Sequence, residues 1–152
     1  MNEIFSEVVT IDKSPEEVLA KIGNPKLLGE FLVKDVSDTY LPKNIKDQIK
    51  YGKTGVYLNV PGFNSQIELA EITSKHVKYC IDFPGLKEGV LYIQVIPSEE
   101  GCKMRIAGGY KFGISPAGLL LRSSVNNEKI IKVLNDIVNS ISESFDDKTR
   151  ED

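Results

Sequence analysis

The most regular hydrophobic pattern lies in the middle of the chain, where residues 54–60, 65–74, 76–83, 89–96 and 102–112 form five strand-like runs. Pro61-Gly62, Ser74-Lys75, Pro84-Gly85 and the stretch from Pro97 to Gly101 separate them at hairpin spacing. Within each run one parity is apolar. Val56, Leu58 and Val60, then Val77, Tyr79, Ile81 and Phe83, then Leu91, Ile93 and Val95, then Met104, Ile106, Gly108, Tyr110 and Phe112 share a face. Lys78, Asp82, Gln94, Lys103, Arg105 and Lys111 take the other. Side chains alternate across a strand, so the pattern predicts an antiparallel meander with one covered face and one that meets water.

Upstream, residues 3–11 read as a strand rich in β-branched side chains, with apolar positions on both parities, so its inward face is undefined. Ser14-Pro15-Glu16-Glu17 is a capping box that opens a helix with the apolar stripe Val18, Leu19, Ile22. Gly23-Asn24-Pro25 ends it, and residues 26–31 predict a second short helix. Residues 33–53 are ambiguous: 33–40 fit an edge strand, while Leu41, Ile45 and Ile49 recur every four residues, as in a helical turn or an irregular strand.

Downstream, Ser115-Pro116 opens a long helix carrying Leu120, Ile130, Leu134, Ile137, Ile141 and Phe145. About 30 residues at 1.5 Å each span ~45 Å, enough to cross a sheet. Residues 146–152 are charged and aperiodic and read as a frayed tail. With no repeat, low-complexity tract or linker, residues 1–152 read as one α+β domain. The expected architecture is a curved antiparallel sheet of about seven strands around a C-terminal helix, with two short helices after the first strand.

Composition narrows the function. The chain has 152 residues and a net charge of −3, which offers no cationic field to a polyanion, so nucleic acid is not an expected partner. No apolar run is long enough to span a bilayer, and the start lacks the pattern of a signal peptide, so a cytoplasmic location is expected. Cys80 and Cys102 have no Cys or His at metal or redox spacing, and they fall on opposite parities, so they are not expected to pair. The 16 lysines against 3 arginines and the 16 isoleucines lean toward a thermophile, although base composition of the genome explains them equally well.

Residues 9–18 (VTIDKSPEEV) and 109–121, leading into the last helix, carry a resemblance to a known family. Together with the element order they make residues 3–145 similar to the START-like helix-grip (SRPBCC) superfamily, which includes polyketide cyclases, pollen-allergen-like proteins and an accessory protein of carbon monoxide dehydrogenase. Within it the chain looks most like a group from thermoacidophilic archaea that carry long-chain fatty acids. The resemblance implies a non-enzymatic carrier without a cofactor. It does not say which residue holds the carboxylate.

Physical reasoning reaches a carrier separately. A sheet of about seven strands encloses more volume than one helix fills, and Ala117, Gly118, Ser123 and Ser124, with Gly108 and Gly109, leave further space. An apolar cavity of about 300–1,000 Å³ is expected. Its expected wall is Tyr79, Ile81, Phe83, Ile93, Met104, Ile106, Gly108, Tyr110, Phe112, Leu120, Ser124 and Asn127. A carboxylate cannot enter dry space unpaired, so Tyr79, Tyr110, Ser124, Asn127 or Arg122 would meet it at a mouth.

Several residues admit plainer readings. The aromatic set Tyr79, Phe83, Tyr110 and Phe112 suits a packed core as well as a ligand wall, and Ser124 and Asn127 suit helix solvation as well as a head group. His76 reads as a solvated turn residue, since a catalytic base needs a pocket and an oriented partner. Gly108-Gly109 reads as a bend or bulge, not a phosphate cradle. Lys43, Lys46, Lys50 and Lys53 read as a solvated edge, with transient contact to an anionic membrane as the alternative. A cyclase-like enzyme of the same fold would need an acid in the cavity, for which Glu7, Asp35 and Glu71 are the candidates. A quinone-binding or membrane-recruitment module is the other rival.

Overall fold

The computed structural model describes residues 2–35, 43–61 and 63–146. It is an α+β fold built on one open, curved antiparallel sheet: β1 (Asn2–Phe5), β2 (Val9–Ile11), β3 (Lys50–Tyr51), β4 (Gly55–Val60), β5 (Phe63–Ile72), β6 (His76–Asp82), β7 (Leu86–Ser98) and β8 (Gly101–Phe112). The order across the sheet is β1-β8-β7-β6-β5-β4-β3, with β2 also paired to β8. Helices α1 (Pro15–Ile22), α2 (Pro25–Asp35), α3 (Lys43–Lys46), α4 (Pro116–Ser124) and α5 (Asn127–Glu143) complete the described residues.

The parity rule of the meander translates directly into burial. Val77, Tyr79, Ile93, Val95 and Ile106 are 0% exposed and Met104 is 1%, all on the covered face. Against this face pack α1, α2 and α5, the last contributing Leu134, Ile137, Val138 and Ile141. Pro84-Gly85 makes a turn closed by Leu86 N–H to Phe83 C=O at 2.9 Å, with Gly85 at φ 97°, a conformation that favours glycine at the third position of such a turn.

The first strand resolves its own ambiguity by breaking. Between β1 and β2, Ser6 is buried; its N–H donates to the Ile106 carbonyl and its Oγ accepts the Ile106 N–H, both at 2.8 Å. The interruption shifts the parity, so Ile4 faces inward on one side of it and Val9 and Ile11 on the other. Apolar residues on both parities are what a strand interrupted in this way requires.

Four expectations need correction. The C-terminal segment is two helices: Val125 is extended (φ −113°, ψ 136°), and Asn126 caps a new helix by accepting the Lys129 N–H at 2.9 Å. The second short helix runs longer than residues 26–31, from Pro25 to Asp35, so residues 33–35 are helical and not an edge strand. Residues 36–42 and 147–152, which include part of that ambiguous stretch and most of the expected tail, lie outside the described residues; Ile45 falls in the helical turn α3. Gly108 and Gly109 keep regular register with both neighbours, and the irregularities in register fall between Leu69 and Glu71 and between Leu86 and Glu88. Those shifts, rather than a bulge at the glycine pair, interrupt the ladders.

The β7–β8 hairpin is longer than its sequence signals. Residues 97 and 98 pair with β8, and the turn is only Glu99-Glu100. Pro97 is tolerated because β6 has already ended, with His76 opposite Gln94, so no strand on that side needs its missing N–H. Of the four lysines expected at a solvated edge, Lys50 and Lys53 at the β3 edge are exposed, Lys46 in α3 is half-buried, and the Lys43 side chain lies outside the description.

Candidate functional site

Between the sheet and the C-terminal helices lies a cavity of about 280 Å³, lined by Ile4, Ile81, Phe83, Leu86, Gly89, Val90, Leu91, Gly108, Gly109, Tyr110, Phe112, Leu121, Val125, Ile130 and Leu134. Ile4, Leu91 and Leu134, each about 5% exposed or less, form its deep part; Phe83, Leu86, Phe112, Leu121 and Val125 are half-buried around the part nearer α4. The lining carries no charged side chain, and Tyr110 supplies its one hydroxyl. Its volume falls just below the range of roughly 300–1,000 Å³ common for small-molecule sites.

Two local causes leave this space unfilled. Gly108 contributes no side chain at the centre of the sheet, where a Cβ would meet Ile4 and Leu134 only at ordinary contact distances of 3.5–3.9 Å. The break at Val125 then turns α4 away from the line of α5, so that only Gly118 of α4 is buried. α4 rests on the turn before β7: a Cβ at Gly85 would come 2.7 Å from the Ala117 carbonyl, and Gly118 sits too close to Gly113 to accept one.

Of the sequence-predicted wall, Ile81, Phe83, Gly108, Tyr110 and Phe112 line the cavity. Tyr79, Ile93, Met104 and Ile106 do not; they are 1% exposed or less and packed into the core. Tyr79 has a structural partner there, its hydroxyl donating to the Ile22 carbonyl at 2.6 Å, and burial pushes its ionisation well above the ordinary phenol value. Leu120 is 69% exposed on the outside of α4. Strand parity assigns a face but not a position along it, and α1 and α5 cover the part of the face that carries these four core residues.

The polar candidates gather near the helix break. The Tyr110 hydroxyl donates to Asn127 Oδ1, and the Tyr110 ring meets Phe112 edge-on at 5.2 Å. The Arg122 guanidinium lies 5.7 Å over the Phe112 ring. With the phenol proton committed to Oδ1, the Asn127 Nδ2 amide and the Arg122 guanidinium are donor groups near this rim, whereas Ser124 Oγ donates to the Leu120 carbonyl at 2.9 Å within its own helix. Leu121 and Val125, which replace Leu120 on the cavity side, are four residues apart and were readable as a helical pair. The chain break that selects them was not.

The residues considered for acid–base work lie elsewhere. Exposed Glu7 accepts from Asn139 Nδ2 at 2.7 Å, and its N–H donates to Asn135 Oδ1, tying the β1–β2 break to α5. Glu71 Oε2 is 2.9 Å from His76 Nε2, and the His76 ring meets Tyr92 edge-on at 5.3 Å. His76 is therefore half-buried and partnered on the outer face, not a solvated turn residue. Asp35 belongs to the last turn of α2. Cys80 is exposed and Cys102 is buried, both unpaired, with burial pushing the Cys102 thiol up.

A second concavity, about 630 Å³, lies on the outer face among Glu3, Phe5, His76, Lys78, Glu88, Tyr92, Gln94 and Arg105. It is larger but mixed in charge, and its cations are engaged: Arg105 lies 4.4 Å over Phe5 and donates to Gln94 at 2.6 Å, and Lys78 lies 5.6 Å over Tyr92. Val90, Gly108 and Gly109 border both spaces from opposite sides of one sheet. Among the described residues no group of His, Cys, Asp and Glu is placed to hold a metal ion, and no helix is long and apolar enough to cross a membrane.

No family model matches the chain, and no curated protein matches its sequence. Its backbone is similar to solved structures: XoxI from Bacillus cereus (19% identity, 98% of this chain and 99% of that one, TM-score 0.62), CV1439 from Chromobacterium violaceum (11%, 94% and 96%, 0.59) and TTHA0849 from Thermus thermophilus (13%, 95% and 97%, 0.57). At these identities what is shared is the fold, an open curved antiparallel sheet closed by C-terminal helices.

Proposed function

We propose that this protein is a START-like, helix-grip carrier that holds a long apolar ligand, foremost a fatty acid, in the cavity between β6–β8 and the C-terminal helices. The observation that carries this reading is the lining itself, which is apolar and glycine from end to end apart from the Tyr110 hydroxyl. Burying a methylene gains about 0.8 kcal/mol, so ten would supply roughly 8 kcal/mol. That is comparable with an association cost of about 4–15 kcal/mol, which favours moderate affinity. A cavity of about 280 Å³ leaves little spare room, so one end of a long chain, with its carboxylate, belongs at the rim beside Arg122 and Asn127. A role in the cytoplasm, from the lack of a signal-peptide pattern, and a thermophilic or archaeal source, from composition and the family resemblance, belong to the same proposal.

Two measurements test it. Mass spectrometry of lipid extracted from the purified protein is expected to give a stoichiometric fatty acid or similar apolar molecule. Added radiolabelled palmitate is expected to co-elute with the protein on gel filtration at micromolar concentrations. Absence of both lipid and label would defeat the reading. Palmitate is expected to bind more tightly than hexadecanol, and Arg122→Gln is expected to narrow that difference; equal affinities for acid and alcohol would remove the assigned head-group contact.

A further inference from the structure

α4 is exposed in a way that α1 and α5 are not. Of its 9 residues only Gly118 is buried; Leu119 is 57% and Leu120 69% exposed, and Ile114, just before the Ser115 cap, is 93% exposed. Single exposed apolar side chains are ordinary, but three large ones fall within residues 114–120, two on the outside of the helix that borders the cavity and one just before its cap.

The serines of the helix spend their hydroxyls on its own backbone. Ser115 Oγ accepts the Gly118 N–H at 3.2 Å, and Ser123 and Ser124 both turn their hydroxyls back to the Leu120 carbonyl, at 2.8 and 2.9 Å. Hydroxyls already bonded to the helix cost little on leaving water. Residues 101–127 contain no Asp or Glu, although the protein as a whole is acidic; Asp82 and Glu88 lie on the strands that flank the turn under α4. Arg122 lies on α4 and Lys111 near the end of β8; Glu88 stands opposite Lys111 in the β7–β8 ladder, so Arg122 is the more effective cation.

We propose that α4 is a membrane-contacting element, in which Ile114, Leu119 and Leu120 enter the boundary between headgroups and acyl chains of an anionic bilayer while Arg122 and Lys111 lie among the phosphates. A second copy of the chain fits less well, since a stable dimer takes roughly 20–30 residues a side and this patch offers three large side chains. The inference rests on the carrier reading for its purpose: it sets the apolar cavity, whose wall includes Leu121, beside the source of the ligand.

The test is flotation of the full chain with vesicles of phosphatidylcholine alone and of phosphatidylcholine mixed with phosphatidylglycerol, using wild type and the double variant Ile114→Ser/Leu119→Ser. Both substituted side chains are exposed, so the fold is expected to persist, and an unchanged circular dichroism spectrum and denaturant midpoint check it independently of any ligand. Wild type is expected to float with the mixed vesicles, less at high salt and less with phosphatidylcholine alone, and the variant to lose most of that association while binding the fluorescent ligand as before. Failure of wild type to float, or equal flotation of the variant, overturns the inference and leaves the carrier reading standing. Vesicle binding that depends on Ile114 and Leu119 without any fatty-acid binding supports the membrane contact and defeats the carrier. Self-association of wild type in ultracentrifugation that the variant abolishes, without vesicle binding, assigns the patch to a second copy and overturns the inference.

Discussion

The Tyr79 hydroxyl donates to the main-chain carbonyl of Ile22 at 2.6 Å, joining the middle of the sheet to the last residue of α1. The final carbonyls of a helix have no partner within it, and this one is buried where water does not replace one. Tyr79 thus completes the end of a helix 57 residues away in sequence, and its place on the covered face reflects that duty and not contact with the cavity. Tyr79→Phe is expected to cost about 1–3 kcal/mol by orphaning the carbonyl, read as a lower denaturant midpoint, while fatty-acid affinity stays unchanged. Loss of ligand binding with stability intact would reverse the assignment.

The same residue sets an alkaline limit. Burial raises the ionisation of Tyr79 above the ordinary phenol value of 10.0 and that of Cys102 above the ordinary thiol value of 9.0. Both groups are neutral when protonated, so the unfolded chain releases these protons first as pH rises. The stability tied to them is complete below the unfolded values and is lost as pH climbs from them toward the folded ones. Denaturant midpoints are expected to fall from about pH 9 upward, and Tyr79→Phe is expected to show a shallower fall despite its lower stability at neutral pH. A parallel fall in both proteins would refute this.

Cysteine chemistry separates the two thiols. Cys80 is exposed and Cys102 is buried with its thiolate disfavoured. Iodoacetamide is expected to modify Cys80 in the native protein and Cys102 only after unfolding, as mapped by peptide mass spectrometry. Rapid native modification of Cys102 would mean that the packing around β8 opens.

Gly108 offers a direct way to reduce the empty volume. A Cβ there meets Ile4 and Leu134 at ordinary distances, so Gly108→Ala is expected to fold and to gain up to about 1 kcal/mol from a less flexible unfolded chain. Because the methyl enters the cavity, affinity for a long-chain fatty acid is expected to fall. Unchanged titrations across a series of chain lengths would show that the ligand does not use this space.

Core and wall residues of one parity are expected to respond differently. Ile93 is 0% exposed among packed neighbours, and Ile93→Ala is expected to cost about 2–5 kcal/mol. Ile81 borders a space that is already open, so Ile81→Ala is expected to cost clearly less and to alter ligand preference instead. Equal losses in denaturant titrations would place both residues in the same packed environment.

Much of the fold follows from local rules that the chain carries openly. Ser14-Pro15-Glu16-Glu17 starts a helix because Ser14 Oγ can take the Glu17 N–H, and alternation along β6, β7 and β8 marks their covered face because a strand has only two. Other features were hidden for a physical reason. The break of the first strand at Ser6 is fixed by two hydrogen bonds to Ile106, 100 residues away, and no local signal names a partner so distant.

The sequence by itself therefore determined the strands of the meander, the helix starts capped by Ser14 and Ser115 and which strand face is apolar, since these depend on propensities and on neighbours within a few residues. Only the tertiary structure decided which apolar residues pack and which border empty space. Tyr79 and Tyr110 share parity and chemistry, yet one ends against the Ile22 carbonyl and the other beside Asn127 on a cavity wall. That division depends on which helix lies over each stretch of the sheet, and the extended residue Val125, by turning α4 off the line of α5, leaves the space beneath it unfilled.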